Sequence, residues 1–181
     1  MEINLNTNIE GLIEINPNIM FDNRGYFLKT FSHSGFLKDN IRLNLKEEYF
    51  SMSNKGVLRG MHFQTPPFSL EKLVFCVTGS VLDVVLDLRK NSSTYLNLYS
   101  TILNADSPKM IFIPSGCAHG FLSLENNSIL NYKVSEEYKP NFDKGVLWSS
   151  INFDWPITEN LVVSERDKMF PSLNNFNSPF S

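Results

Sequence analysis

With 181 residues, 42% of them hydrophobic and 19% charged, the chain has the size and balance of one folded domain with a sizeable core, and disorder is excluded. A net charge of −3 and a pI near 5.6 exclude a general nucleic-acid binder, so any phosphate site has to be a local cationic pocket. Aromatic residues reach 13%, which suits a β-rich core or a stacking site for a flat ligand.

In chain order, Ile9–Ile15 alternates weakly and reads as a first strand. Asn16–Gly25 is an Asn- and Asp-rich loop carrying Arg24, and Tyr26–Phe31 is a second strand. Ser32–Asp39 is a short helix or turn. Glu47–Ser53 (EEYFSMS) is a third strand, closed by the turn signal Asn54-Lys55-Gly56. Val57–Val74 (VLRGMHFQTPPFSLEKLV) runs out as a strand, turns at Pro66-Pro67 and comes back. Lys72–Val77 and Val81–Leu88 are expected to form a hairpin around Thr78-Gly79-Ser80. In its second arm Leu82, Val84, Leu86 and Leu88 point one way and Val81, Asp83, Val85 and Asp87 the other. That second face is either a solvated sheet surface or a barrel lumen with polar groups.

Tyr95–Leu103 alternates again, and Lys109–Pro114 is a buried strand ending at proline. Ser115–Phe121 (SGCAHGF) reads as a Gly-punctuated turn holding His119. Phe121–Leu124 and Ser128–Val134 are further strands, Glu136–Gly145 is a polar loop with Asp143, and Val146–Ser149 is strand-like. Trp155–Pro156 opens a tail in which Ser164–Met169 makes one helical turn capped by Ser164, and the final NNFNSPFS reads as loosely ordered. Many short strands with almost no helical periodicity indicate one all-β sandwich or barrel domain over residues 1–181.

Cys76 and Cys117 form no CxxC pair and lie in apolar stretches, which points to free buried thiols in a reducing compartment. The start, MEINLNTNIEGLIEI, lacks the basic n-region of a signal peptide, and no apolar run approaches the roughly 18 residues of a membrane span. A soluble cytoplasmic protein is the expectation.

Chemistry concentrates in the central stretch. Arg59, His62, Glu71 and Lys72 sit within fourteen residues. Arg59 and Lys72 can hold phosphate, and histidine can move a proton near neutral pH. The three histidines, His33, His62 and His119, form no HxH or HExxH pattern, so no metal is expected; His62 and His119 assembling with a carboxylate is the minor alternative. Cys117 near His119 lacks an evident third group, and GxSxG, GxGxxG and phosphate-loop patterns are missing. General acid–base chemistry remains, with His62 as base, Asp83 or Asp167 as orienting carboxylate, and Tyr132 or Tyr138 as acid.

Several stretches together carry a family resemblance. They are RGYF (Arg24–Phe27), VLRGMHFQ (Val57–Gln64), EKLV (Glu71–Val74), GSVLDVVLDLRKNSSTY (Gly79–Tyr95), IPSGCAHGF (Ile113–Phe121), YKVSEEY (Tyr132–Tyr138) and SERDK (Ser164–Lys168). In order and spacing the chain resembles the dTDP-4-dehydrorhamnose 3,5-epimerase family along nearly its whole length. The resemblance implies a cupin-type jelly-roll β-barrel, a homodimer with swapped N-terminal strands, no metal and no other cofactor. It implies a nucleotide-diphospho-4-keto-6-deoxy sugar as substrate, in deoxysugar synthesis for surface polysaccharide. By matching motif positions, His62 is the base, Tyr132 the acid, Asp167 the partner of His62, and Lys72 the cation beside the ketone and its enolate. Arg24 (from the partner chain), Arg59, His119 and Lys168 line the substrate, Tyr138 walls the nucleotide, and Asp83 stands behind. Lys29, Glu47, Tyr49 and Asp143 complete the binding set.

At three of those positions the chain departs from the family pattern: Lys29 replaces the acid of RGxFxE, and Glu47 and Tyr49 replace the Gln and Asn of QxNxSxS. The expected substrate is dTDP-linked, and these departures keep a CDP- or GDP-linked sugar as an alternative. A C3-only epimerase, a 3,4-ketoisomerase and a silent sugar-binding cupin are the remaining rivals. The silent binder is disfavoured because binding alone needs no acid opposite a base.

Overall fold

The computed structural model describes residues 2–5, 7–156 and 161–181. Its strands are β1 (Glu2–Asn4), β2 (Ile13–Asn16), β3 (Ile19–Asp22), β4 (Gly25–Leu28), β5 (Glu47–Ser53), β6 (Val57–Gln64), β7 (Lys72–Thr78), β8 (Ser80–Asp87), β9 (Leu98–Asn104), β10 (Met110–Ile113), β11 (Cys117–Ser123), β12 (Ser128–Val134), β13 (Asp143–Gly145) and β14 (Val162–Val163). Two short helices, α1 (His33–Lys38) and α2 (Glu165–Lys168), lie outside the sheets. One sheet runs β1-β2-β10-β7-β12-β5 and the other β13-β6-β11-β8-β9, with β14 added in parallel to β6; β3 and β4 pair only with each other. The two large sheets share an apolar interior and make the antiparallel sandwich of a jelly roll. No described helix is long and apolar enough to cross a membrane.

Three apolar layers follow from strand alternation. Val74, Cys76, Val81, Val85, Ile111, Phe121, Leu130 and Tyr132 fill the space between the sheets. Leu58, Met61, Phe63, Val84, Leu86 and Leu88 form the outer face of the second sheet, covered by Trp155 and Phe180 from the C-terminal segment. Leu73, Phe75, Met110 and Phe112 form the outer face of the first, covered by Phe36 of α1. The face of β8 that carries Asp83 and Asp87 is therefore lumen, and both carboxylates are buried with partners. A one-residue slip of β8 would swing both into the apolar outer layer, where an unpaired carboxylate is not tolerated, so the register is fixed by charge as well as by packing.

Several expectations from sequence need correction. β7 and β8 are not a hairpin. The turn at Gly79 carries the chain from one sheet to the other, and Gly79 (φ +73°) is needed there because a Cβ would sit 2.6 Å from Ser128 Oγ. The return of Val57–Val74 likewise crosses to the facing sheet. His119 lies in β11 and not in a turn; only Ser115-Gly116 turns, and Gly120 is glycine because β6 passes against it at Gly60. The loop over residues 16–25 contains β3, the loop over 136–145 ends in β13, and residues 148–150 are a 3-10 turn rather than a strand. The first alternating stretch becomes a turn before β2, which starts only at Ile13. The final residues are anchored: Ser178 Oγ donates to the Leu88 carbonyl, Lys90 N–H to the Phe180 carbonyl, and the Phe180 ring packs on Phe63.

Candidate active site

One end of the sandwich opens into a cavity of about 360 Å³, a size suited to a small ligand. Its second-sheet wall carries Arg59 and His62 on β6 and His119 on β11. Arg59 and His62 are three apart, so strict alternation would put them on opposite faces. The β6–β11 register shifts between the pairs His119–His62 and Phe121–Arg59, and this bulge turns both side chains inward. Gly60 makes it possible: with φ +148°, it approaches Gly120 so closely that a Cβ would lie 2.6 Å from the Gly120 Cα.

His62 and Asp167 come together from 105 residues apart in the chain. His62 Nε2 is 2.9 Å from Asp167 Oδ1, and Asp167 Oδ2 accepts from the Gly60 N–H at 3.1 Å. Ser164 caps α2 by accepting from the Asp167 N–H, as expected. Burial pushes the Asp167 carboxyl up, but the His62 ring, the Gly60 amide and Ser164 outweigh it and hold it below the usual range. The Phe170 ring meets the His62 ring edge-on at 5.7 Å and completes its cradle.

His119 forms a second, fully buried pair, its Nε2 2.8 Å from Asp83 Oδ2. Burial lowers its pKa despite Asp83, which keeps the ring neutral. His119 and His62 are cross-strand neighbours.

The facing wall comes from the first sheet: Lys72 on β7, Tyr132 on β12, and Glu47, Tyr49 and Ser51 on β5. Lys72 donates to the His62 carbonyl at 3.1 Å, and its burial pulls its ammonium down to about 8 against the pull of Asp143 and Asp83. Tyr132 is 7% exposed, meets the edge of His119 at 6.0 Å and stacks on Tyr49 at 4.8 Å. Burial raises its phenol well above the usual range, so it holds its proton until a strong base arrives. Burial with the charges of Glu47 and Asp143 pushes the Tyr49 phenol up to about 12.

At the mouth, Gln64 ties down the loop that carries Tyr138, donating to the Phe68 and Glu137 carbonyls and accepting from the Lys139 N–H. Glu47 accepts from the Tyr138 N–H at 2.7 Å, and Arg166 Nη2 lies 2.6 Å from Asp143 Oδ2. Arg59 donates to Ser53 Oγ and the Met52 carbonyl.

Glu47, Tyr49, Arg59, His62, Lys72, His119, Tyr132, Tyr138 and Asp143 thus meet in one cavity, with Asp167 and Asp83 directly behind the two histidines. Arg24, Lys29 and Lys168 do not reach it in this chain. Arg24 pairs with Asp22 on the exposed β3–β4 hairpin, Lys29 is exposed just past β4, and Lys168 pairs with Glu165 on the far side of α2. Lys29 and Glu47 form no ion pair with each other among the described residues. Arg166, Gln64 and Ser51 line the cavity and were not read from sequence. Strand parity could have found Ser51, which shares a face with Glu47 and Tyr49. Which cation of SERDK turns inward depends on the orientation of a single helical turn, and no pattern shows that. Among the described residues no group of three or more metal-ligating side chains clusters.

The chain is similar to known proteins along nearly its whole length. The family profile described as dTDP-4-dehydrorhamnose 3,5-epimerase matches residues 6–175. A dTDP-4-dehydrorhamnose 3,5-epimerase of Methanothermobacter thermautotrophicus is 39% identical over 173 residues, 93% of each chain. Among solved structures, the dTDP-4-dehydrorhamnose 3,5-epimerase of Bacillus anthracis with TDP and pyrophosphate bound superposes with a TM-score of 0.91 at 32% identity, covering 95% of this chain and 99% of that one. The dTDP-6-deoxy-D-glucose-3,5-epimerase of Legionella pneumophila in complex with dTDP-4-keto-L-rhamnose gives 0.92 at 32% identity, over 97% and 94%.

Proposed function

The chain belongs to the dTDP-4-dehydrorhamnose 3,5-epimerase family, and on that footing we propose how its pocket inverts two carbons of a dTDP-linked 4-keto-6-deoxy sugar. It is a sugar-nucleotide 3,5-epimerase, an isomerase of a family that acts on dTDP-sugars. The observation that carries the mechanism is the placement of a carboxylate-bound histidine on one sheet and a protonated, buried phenol on the facing sheet.

A ketone at C4 acidifies the hydrogens at C3 and C5, because removing either gives an enolate. His62 takes the proton from one face of the ring, while Asp167 orients the imidazole and stabilises the imidazolium. Lys72 places positive charge beside the C4 oxygen, where negative charge grows only as the proton leaves; that difference lowers the barrier. Tyr132 returns a proton from the opposite face. Neutral His119 gives its N–H to Asp83 and can accept from a sugar hydroxyl at Nδ1, Arg59 and Arg166 hold the diphosphate, and Glu47, Tyr49, Tyr138 and Asp143 form the nucleotide end. Incubation with dTDP-4-keto-6-deoxyglucose tests the assignment: NMR should show the product inverted at C3 and C5, and a substrate returned unchanged would refute it.

Lys72 gives this mechanism a pH signature. Its ammonium is charged below about 8 and neutral above, so enolate stabilisation is present at pH 7 and is lost as pH rises through that value. The alkaline limb of kcat/KM, which reports the free enzyme, should therefore have its midpoint near 8. Lys72→Arg should slow the reaction and flatten that limb. An unchanged limb in Lys72→Arg would remove Lys72 from this role.

The same reading includes a homodimer in which an N-terminal element is exchanged, each chain acting as one domain. β1 and β2 pair inside their own chain, so the element available for exchange is the β3–β4 hairpin. Met20, Phe21, Tyr26 and Phe27 on that hairpin are each more than half exposed, an apolar patch that favours cover by a second protein surface. Exchange would also bring Arg24 and Lys29 to the other subunit's cavity. Replacing Phe21 and Tyr26 together with Ser should give a monomer by sedimentation equilibrium and a large rise in KM. A wild-type chain that is monomeric and fully active would contradict it.

A further inference from the structure

Proton return by Tyr132 leaves negative charge on a buried oxygen. As the new C–H bond forms, the Tyr132 O–H bond breaks and its electrons stay on oxygen. The phenolate is then buried at 7% exposure, with Tyr49 stacked on one side of the ring and His119 at its edge, so little water can reach it before it regains a proton from solvent. A buried anion needs a hydrogen-bond donor. Neutral His119 gives its single N–H to Asp83, and Lys72, bonded to the His62 carbonyl, serves the C4 oxygen. On the β5 wall Glu47 accepts from Tyr138, and Ser53 accepts from Arg59.

Only two buried side-chain oxygens among the described residues lack a hydrogen-bond partner, Asp83 Oδ1 and Ser51 Oγ. A carboxylate oxygen cannot donate to an anion; a serine hydroxyl can. Ser51 lines the cavity. It lies opposite Leu130 in the β5–β12 ladder, while Tyr49 lies opposite Tyr132, so Ser51 is the diagonal neighbour of Tyr132 on the same face. That separation is within reach of a tyrosine side chain. Its hydroxyl lies close enough to the phenol to favour ionisation, against the larger effect of burial.

We propose that Ser51 is a positioning residue for the acid: its hydroxyl donates to the Tyr132 oxygen when proton transfer to carbon leaves that oxygen charged. The inference rests on the reading of Tyr132 as acid. The bond strengthens as charge develops, so it lowers the barrier to reprotonation and hardly affects substrate binding.

The test is a set of four variants assayed by product NMR and by solvent-deuterium uptake, with kcat and KM separated. Ser51→Ala should lower kcat about tenfold or more, with KM within a factor of about two. Deuterium uptake should fall less than product formation, and any alkaline limb in kcat that belongs to the phenol should move up. Ser51→Thr, which keeps the hydroxyl and suits a strand, should recover most of the rate. Ser51→Ala combined with Tyr132→Phe should be no slower than Tyr132→Phe alone, because both remove one function. Normal kcat in Ser51→Ala, equal loss in Ala and Thr, or additive loss in the double variant would each overturn the proposal. If Tyr132→Phe itself epimerises normally, it is the assignment of the acid that fails.

Discussion

Replacing His62 with Asn is expected to lower kcat by about 10³-fold or more while the sugar nucleotide still binds. The side chain is the only imidazole facing the cavity whose carboxylate partner lies at the end of a capped helical turn, and its neighbour His119 is held neutral and deep. Asn keeps the size and a polar group but cannot take a proton, so the loss falls on chemistry and leaves KM nearly unchanged. Asp167→Asn should lose less, about 10- to 100-fold, because the imidazole stays in place while its developing charge loses its counter-ion. Both variants should fold, since in Asp167→Asn the side-chain amide oxygen can still accept from the Gly60 N–H. Turnover of the His62 variant within a few-fold of wild type would refute the role of base.

The second large effect belongs to Tyr132→Phe. The ring is stacked on Tyr49 and packed among Val74, Val85 and Leu130, so removing one hydroxyl leaves the wall intact. His62 should still remove a proton, and in D2O a hydrogen at a ring carbon should still exchange. Return from the opposite face should fail, lowering inversion by about 10²-fold or more relative to exchange. Equal rates of exchange and inversion in this variant would move the acid elsewhere.

Much of this site could be read in the sequence because strands expose their faces by alternation. The spacing of Val81, Asp83, Val85 and Asp87 left a solvated face or a polar lumen open, and the burial of both carboxylates decides for the lumen. What failed was information that alternation does not carry. A tight turn at Gly79 looks the same whether its strands pair or cross between sheets. Gly116 and Gly120 made residues 115–121 look like one turn, when one glycine turns the chain and the other lets β6 approach. The tail looked loose because it is short and rich in Asn, yet Phe180 fills a gap against Phe63 that only the folded second sheet creates. The motif marks Lys168, while Arg166 lines the cavity, because the inward side of a four-residue helix is set by how Asp167 docks on His62. Arg24 and Lys29 lie on a hairpin whose cavity, in the dimer reading, belongs to the other subunit.

The mechanism requires one base and one acid on facing sheets to invert two carbons through enolates. Incubating the wild-type enzyme with dTDP-4-keto-6-deoxyglucose in D2O, and following the sugar ring by NMR, probes that requirement at both carbons at once. Solvent deuterium should appear at both C3 and C5 of a product inverted at both centres. Inversion without deuterium uptake, or label and inversion at C3 alone, would contradict it.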